Sequence, residues 1–222
     1  MFLSRAIASP VPAAELNRRQ DYGDNVGGAA TFYGGNVQGG MCSFSGYTLP
    51  PGIRGTALSS NNWENAANCG ACVNVKGPKG ETIKAMIVDQ CPSCAKNQLD
   101  LFQGAFTEIA NKSAGKVGIS WEFVPCGVSG PIRLKNKEGT SQYWFSMQVL
   151  NSNFAIDSMQ VSTDGGKTWQ KTQRAEYNYF ENDSGFGTDT VDVKVTSSNG
   201  KSIVTKNVKV SGSSSQEADS NF

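Results

Sequence analysis

The stretch Ile87-Val-Asp-Gln-Cys-Pro-Ser-Cys-Ala-Lys-Asn-Gln-Leu-Asp-Leu-Phe-Gln-Gly-Ala-Phe106 places two carboxylates and a cysteine pair close together in the chain. Asp89 ends an apolar run that predicts a buried strand, and Asp100 lies between two leucines. A short helix is expected over residues 105–111. Because neither aspartate lies in a solvated stretch, both are candidate functional residues.

The composition limits the chemistry that this chain of 222 residues could perform. It contains no histidine, which excludes the usual general base, the usual metal ligand and every serine–histidine or cysteine–histidine pair. The net charge of +1 argues against a nucleic-acid partner, and no apolar run is long enough to span a membrane. Abundant glycine, serine, threonine and asparagine favour an all-β protein rich in turns. We expect a monomer without a cofactor.

The six cysteines allow two interpretations. Two Cys-x-x-Cys pairs separated by 18 residues fit the spacing of a zinc ribbon. An even number of cysteines, all in the first 126 residues, fits three disulfides in a secreted domain, and we favour this interpretation over a metal site. The cysteines concerned are Cys42, Cys69, Cys72, Cys91, Cys94 and Cys126.

The N-terminus also points to secretion. Residues 1–22 combine a short apolar segment, interrupted by Arg5, with small residues and the dibasic pair Arg18-Arg19. We interpret them as a signal remnant, a propeptide or a flexible arm. Glycosylation sequons at Asn111 and Asn182 agree with a secreted, extracellular glycoprotein.

The chain divides at a short glycine- and proline-containing linker, residues 127–131. Residues 23–127 contain all the cysteines and form the first domain. Residues 131–210 contain none and form serial strands joined by turns such as Asn199-Gly200, which predicts a small β-sandwich. The expected strands of this half are 132–137, 143–150, 156–162, 169–172, 191–196 and 203–210. The serine-rich tail, 211–222, is expected to be disordered.

Three motifs in order resemble the expansin family, including its microbial and fungal expansin-like members. They are Ala30-Thr-Phe-Tyr-Gly34, the pair Val88-Asp89 and Leu99-Asp-Leu101, and the start of an aromatic-bearing second domain, Lys137-Glu-Gly-Thr-Ser-Gln-Tyr-Trp144. The resemblance covers about residues 24–210. It implies a six-stranded double-psi β-barrel followed by an immunoglobulin-like, carbohydrate-binding β-sandwich, with both domains lining one polysaccharide groove.

The resemblance also implies roles for individual residues. Thr31, Tyr33, Asp89 and Asp100 would line the groove in the barrel, although Cys91 stands where microbial members carry an aromatic residue. In the sandwich, the implied linear aromatic platform with its basic neighbour consists of Tyr143, Trp144, Tyr177 and Lys137. The disulfide pairs implied by the family are Cys42–Cys69 and Cys72–Cys126, which leaves Cys91–Cys94.

Alternation in the strand that follows Tyr143 supports the platform independently. Phe145, Met147 and Val149 share one face and predict the core side, whereas Trp144 lies on the polar face. Tyr143 shares the parity of the core face, so its exposure requires that it precede the regular strand. The pattern of the sequence does not distinguish Tyr177 from Tyr179 as the exposed residue. Trp169 is expected to lie in the core.

The two aspartates also have structural interpretations, since Asp100 could cap the helix that follows and Asp89 could accept backbone hydrogen bonds at its strand end. Inverting glycoside hydrolysis needs an acid and a base. Barrels of related endoglucanases carry the base shortly after the threonine strand, where this chain has Gly34-Gly35. We therefore expect a secreted protein that binds cellulose and other cell-wall glucans and loosens them without hydrolysis. The alternatives are a weak endoglucanase or a lytic transglycosylase-like enzyme using Asp100 as acid, and a secreted effector that does not bind carbohydrate.

Overall fold

The computed structural model describes residues 22–222, so the predicted signal remnant or propeptide in residues 1–21 lies outside the described part. Tyr22, assigned to the same arm, is ordered: it pairs with Phe123, and its hydroxyl lies 3.1 Å from that of Ser198. Within residues 22–222, no helix is long and apolar enough to cross a membrane.

The first half of the chain closes into a six-stranded barrel, in the spatial order β1-β5-β2-β4-β3-β6. Strands β1 with β5 and β2 with β4 run parallel, and the other neighbours run antiparallel. The strands are β1 (Val26–Tyr33), β2 (Ile53–Ser59), β3 (Cys72–Lys76), β4 (Thr82–Cys91), β5 (Leu99–Phe102) and β6 (Val117–Val124).

A helix, α1 (Gln103–Ile109), begins directly after β5 and packs Phe106 and Ile109 into the barrel core. The helix starts at Gln103, two residues before the expected position, because β5 leads directly into it. Phe102 occupies the N-cap position, and no side chain makes a cap hydrogen bond there. Asp100 therefore does not cap this helix, and that structural interpretation is wrong.

The second half consists of two facing sheets, as predicted for a β-sandwich. One sheet has the order β10-β9-β13-β14 and the other β11-β12-β8-β7-β15. Alternation explains the core between them, since Phe145, Met147 and Val149 of β8 face inward with Val191, Val193 and Val195 of β13. The strands are β7 (Arg133–Asn136), β8 (Phe145–Leu150), β9 (Ile156–Ser162), β10 (Gln170–Lys171), β11 (Gln173–Arg174), β12 (Phe180–Asn182), β13 (Thr190–Ser197), β14 (Ser202–Lys209) and β15 (Ser215–Glu217).

The tail is ordered, so the expectation of disorder over residues 211–222 is wrong. Strand β15 pairs antiparallel with β7, and Ala218 is buried in the sandwich core with its N–H donating to the carbonyl of Ile132 at 2.9 Å. Backbone pairing at a sheet edge needs few apolar side chains. A serine-rich composition therefore did not reveal this strand.

Trp169 corrects a second expectation, because it is not a core residue. It precedes β10 on the outside of the four-stranded sheet, half-buried, with the Lys194 ammonium 4.6 Å from its ring centroid. A lysine stem and a cation–π contact cover the indole here.

The barrel and the sandwich share an interface built on the outer face of β8. Gln148 is fully buried there and donates through Nε2 to the Cys42 carbonyl at 2.9 Å. Leu150 packs with the barrel core rather than with the sandwich core. The linker is held as well, since the N–H of Cys126 donates to the Asn153 carbonyl at 2.9 Å and that of Val128 to the Asn153 side chain at 2.8 Å. These contacts fix one domain against the other.

Candidate functional site: a groove across both domains

Four neighbouring barrel strands each contribute one residue to a row across the sheet. Three of these residues were predicted for the site, and the fourth, Ala57, lies between the two aspartates. Thr31 on β1 is the register partner of Asp100 on β5, Asp100 is that of Ala57 on β2, and Ala57 is that of Asp89 on β4. Residues in register on adjacent strands point to the same face of a sheet. The two carboxylates are thus separated by one strand, whose residue in the row, Ala57, is only 2 % exposed.

Thr31 and Asp100 form the first half of this row. The Thr31 hydroxyl donates to Oδ1 of Asp100 at 2.5 Å and accepts from Nε2 of Gln98 at 3.1 Å. The Lys116 ammonium in turn lies 3.4 Å from Oε1 of Gln98. Neither Gln98 nor Lys116 has a sequence feature that distinguishes it from any other polar residue, and sequence analysis did not select them.

Asp89 forms the second half and accepts three hydrogen bonds from the protein. The N–H groups of Met41 and Gln90 donate to Oδ1 at 2.7 and 2.8 Å, and the Tyr33 hydroxyl donates to Oδ2 at 3.0 Å. The structural interpretation of Asp89, as a strand-end carboxylate that accepts backbone hydrogen bonds, is therefore confirmed. The same bonds orient the carboxylate at the groove.

Tyr33 lies across the row from β1 towards β4. Its ring packs on Ala57 and on the disulfide between Cys91 and Cys94, which form a small apolar cluster outside the barrel core. Burial, followed by the charge and hydrogen bond of Asp89, raises the pKa of Tyr33 well above its usual value. The phenol therefore stays protonated and remains a donor to Asp89 throughout the neutral and mildly alkaline range.

The cysteines form Cys42–Cys69, Cys72–Cys126 and Cys91–Cys94, the pairs that the family resemblance implies. The zinc-ribbon interpretation requires Cys69, Cys72, Cys91 and Cys94 as thiolates around one ion, whereas here they belong to three separate disulfides. Among residues 22–222, no group of three histidine, cysteine, aspartate or glutamate side chains is arranged to hold a metal.

The sandwich presents its aromatic residues at a tight turn before β8. The backbones of Ser141 and Trp144 exchange hydrogen bonds, which places Tyr143 at the tip of the turn with 74 % of its surface exposed. Tyr143 thus precedes the regular strand, as its exposure required. Gly185 allows the neighbouring loop to approach this turn, since a Cβ at that position would lie 2.1 Å from the Gln142 carbonyl oxygen.

Lys137 connects the other members of the predicted platform. Its ammonium lies 4.2 Å from the ring centroid of Tyr177 and 5.6 Å from that of Trp144. Tyr177 is partly exposed and Tyr179 is buried, so of these two tyrosines only Tyr177 is placed to meet a ligand. Burial, together with a 2.9 Å hydrogen bond to Glu181, raises the pKa of Tyr177 to about 12. The platform therefore carries aromatic faces with a single cation among them.

One short segment, residues 40–42, joins the barrel carboxylates to the aromatic platform. The Met41 N–H is bonded to Asp89, and the Cys42 carbonyl accepts from Nδ2 of Asn178 at 3.3 Å, next to Tyr177 in the chain. The structure thus forms two groups of predicted residues, Thr31, Tyr33, Asp89 and Asp100 on the barrel and Lys137, Tyr143, Trp144 and Tyr177 on the sandwich, and residues 40–42 link them. The two groups present carboxylates, hydroxyls and aromatic faces, which is the chemistry that binds neutral sugar polymers.

Comparison with known proteins agrees with this architecture. The chain is 31 % identical over 186 residues to Expansin-YoaJ of Bacillus subtilis (strain 168), covering 82 % of this chain and 78 % of the relative. The crystal structure of the apo expansin of Clavibacter michiganensis superposes with a TM-score of 0.79 at 31 % identity, covering 90 % of this chain and 98 % of that one. A mutant of the same expansin in complex with cellohexaose gives a TM-score of 0.79 at 30 % identity, with the same coverage. No protein-family model matches the chain.

Proposed function

Because the chain belongs to the expansin family, we propose that it is an extracellular protein that binds cellulose and related cell-wall glucans and loosens them without hydrolysis. The observation that carries the proposal is the link through residues 40–42 between a barrel row, Thr31, Asp100 and Asp89, and a sandwich platform, Lys137, Tyr177, Trp144 and Tyr143. The cellohexaose complex of the Clavibacter relative supports a β-glucan as the ligand.

The two parts of the groove would divide the work. Exposed aromatic faces bind the apolar faces of sugar rings and anchor a glucan chain on the sandwich. The barrel carboxylates and hydroxyls accept and donate hydrogen bonds to sugar hydroxyls. These bonds would compete with those between neighbouring glucan chains, and separating the chains would loosen the wall.

The arrangement of the carboxylates favours binding over hydrolysis. Inverting hydrolysis requires a free carboxylate to activate water opposite the acid. Asp89 already accepts three protein hydrogen bonds, and the two residues directly after Tyr33, where related endoglucanases carry the base, are Gly34 and Gly35. Asp100 would thus have no partner for water activation.

Retention on crystalline cellulose tests the proposal. Trp144→Ala should weaken binding on the order of tenfold, the loss expected when an aromatic anchor is removed from a binding surface. The matched control is Trp169→Ala, which removes a half-buried indole from the other sheet of the sandwich and should bind like the parent protein. Equal retention of all three proteins would refute the platform.

A further inference from the structure

Met41 is an exposed apolar residue beside a charged one. Its N–H donates to Oδ1 of Asp89 at 2.7 Å, and 37 % of its surface is open to solvent. The other methionines of residues 22–222 are Met86, Met147 and Met159, which are at most 2 % exposed. Methionine thus fills a core position everywhere else in the described residues, whereas Met41 is exposed.

The backbone around Met41 is held in place. A Cβ at Gly40 would lie 2.2 Å from the Val88 carbonyl oxygen, and the Cys42 N–H donates to that same carbonyl at 3.2 Å. Cys42 is also tied to Cys69 by a disulfide. The segment is therefore fixed against β4, and Met41 is presented from a rigid position.

Met41 belongs to the segment that joins Asp89 of the barrel to the sandwich. On the barrel side its neighbour is Asp89, and on the sandwich side the following carbonyl, that of Cys42, accepts from Gln148 and Asn178. Of residues 40–42, which join Asp89 to the sandwich, only Met41 is exposed, so its side chain is the part of this segment that a ligand can touch.

We propose that Met41 is a sugar contact at the centre of the groove, where it bridges the aromatic platform and the barrel carboxylates. This inference rests on the proposed function, since it assumes a glucan that spans both domains. An unbranched, polarisable thioether adapts to an apolar surface. Met41 would cover the apolar face of a glucose ring at the junction of the two domains. The Asp89 carboxylate beside Met41 would disfavour an anionic sugar at this place, which favours a neutral glucan over a polyuronide.

Oxidation of the thioether gives a direct test. Mild peroxide converts an exposed methionine to its sulfoxide, and peptide mass spectrometry reports the rate for each methionine. We expect cellohexaose at saturating concentration to slow oxidation of Met41 severalfold. Maltohexaose, which has the same composition but another linkage, is the control sugar and should leave the rate unchanged. Met86, Met147 and Met159 should stay unoxidised with or without sugar.

Calorimetry with cellohexaose separates this inference from the proposed function. Met41→Ala should weaken binding by roughly three- to tenfold, as expected for the loss of a few buried methylene-sized groups. Met41→Leu should retain most of the affinity. Val204→Ala, at an exposed apolar position on the four-stranded sheet, is the matched control and should bind like the parent protein. If the parent protein fails to bind cellohexaose, both proposals fail. If it binds and neither the oxidation rate nor the Met41→Ala affinity changes, only the role of Met41 is refuted.

Discussion

Thr31 and Asp100 show how strand register produces a polar site. They are register partners on parallel strands, so their side chains meet on one face at 2.5 Å without any special loop. A hydrogen bond to an ionised acceptor is worth about 1.5–3 kcal/mol, more than one between neutral groups. The charge on Asp100 is therefore the feature that a sugar hydroxyl entering the groove would detect.

Replacing this charge tests its role. In Asp100→Asn the side-chain oxygen can still accept from Thr31, so the fold should be retained, whereas a charged acceptor is lost from the groove. We expect extension of isolated plant-wall strips under constant load to fall by roughly tenfold or more. Retention on crystalline cellulose should not change, because the platform is intact.

Asp24→Asn is the matched control, since it neutralises an exposed barrel carboxylate outside the row and should extend walls like the parent protein. Full activity of Asp100→Asn would contradict a role of this charge in the groove.

The sequence predicts those site residues whose position follows from alternation. Phe145, Met147 and Val149 alternate inward, so the exposure of Tyr143 required it to precede β8, and it does. Ala57 and Met41 could not be found in this way. Their places depend on which strands become neighbours around the barrel and on how a loop returns to β4, and both are long-range contacts that no local pattern encodes.

At the scale of elements, the disulfides differ in how much chain they constrain. Cys72–Cys126 joins the start of β3 to the residues after β6 across a sequence separation of 54, whereas Cys91–Cys94 closes a separation of 3 at the end of β4. A cross-link stabilises chiefly by restricting the unfolded chain, and its effect grows with the length of the loop it closes.

This difference predicts unequal losses of stability. By loop-closure entropy, removing Cys72–Cys126 with paired alanine substitutions should lower the free energy of unfolding by about 4 kcal/mol, against about 2 kcal/mol for Cys91–Cys94. Guanidinium titration of the two double variants measures both values. Equal losses would show that local packing, such as that of Tyr33 on the Cys91–Cys94 bridge, dominates over chain entropy.

Strands could be predicted where hydrophobic alternation is strong, and the prediction failed where alternation is weak. The alternation of Ile119 and Trp121 in β6 matches their burial. In contrast, β15 has no apolar alternation and is held by edge pairing with β7, so its composition suggested a disordered tail. The expectation for Trp169 was wrong because a large apolar side chain can also lie half-buried on the outer face of a sheet, here against Lys194.

At the scale of the whole molecule, the contact between the domains fixes the barrel row relative to the aromatic platform. Gln148, a polar residue of β8, is fully buried because it faces the barrel, where it donates to the Cys42 carbonyl. Gln148 shares the parity of Trp144 and so lies on the outer face of β8, where only the docked barrel explains its burial. The domain contact therefore determines the path from the platform to the carboxylates.

Non-hydrolytic loosening is tested most directly by extension of a heat-inactivated plant-wall strip under constant load, with reducing sugars assayed in the same bath. Binding and chain separation predict that the protein increases extension while released sugar stays at the level of the buffer control. Extension accompanied by sugar release, with both abolished in Asp100→Asn, would identify a lytic enzyme and contradict the proposed function.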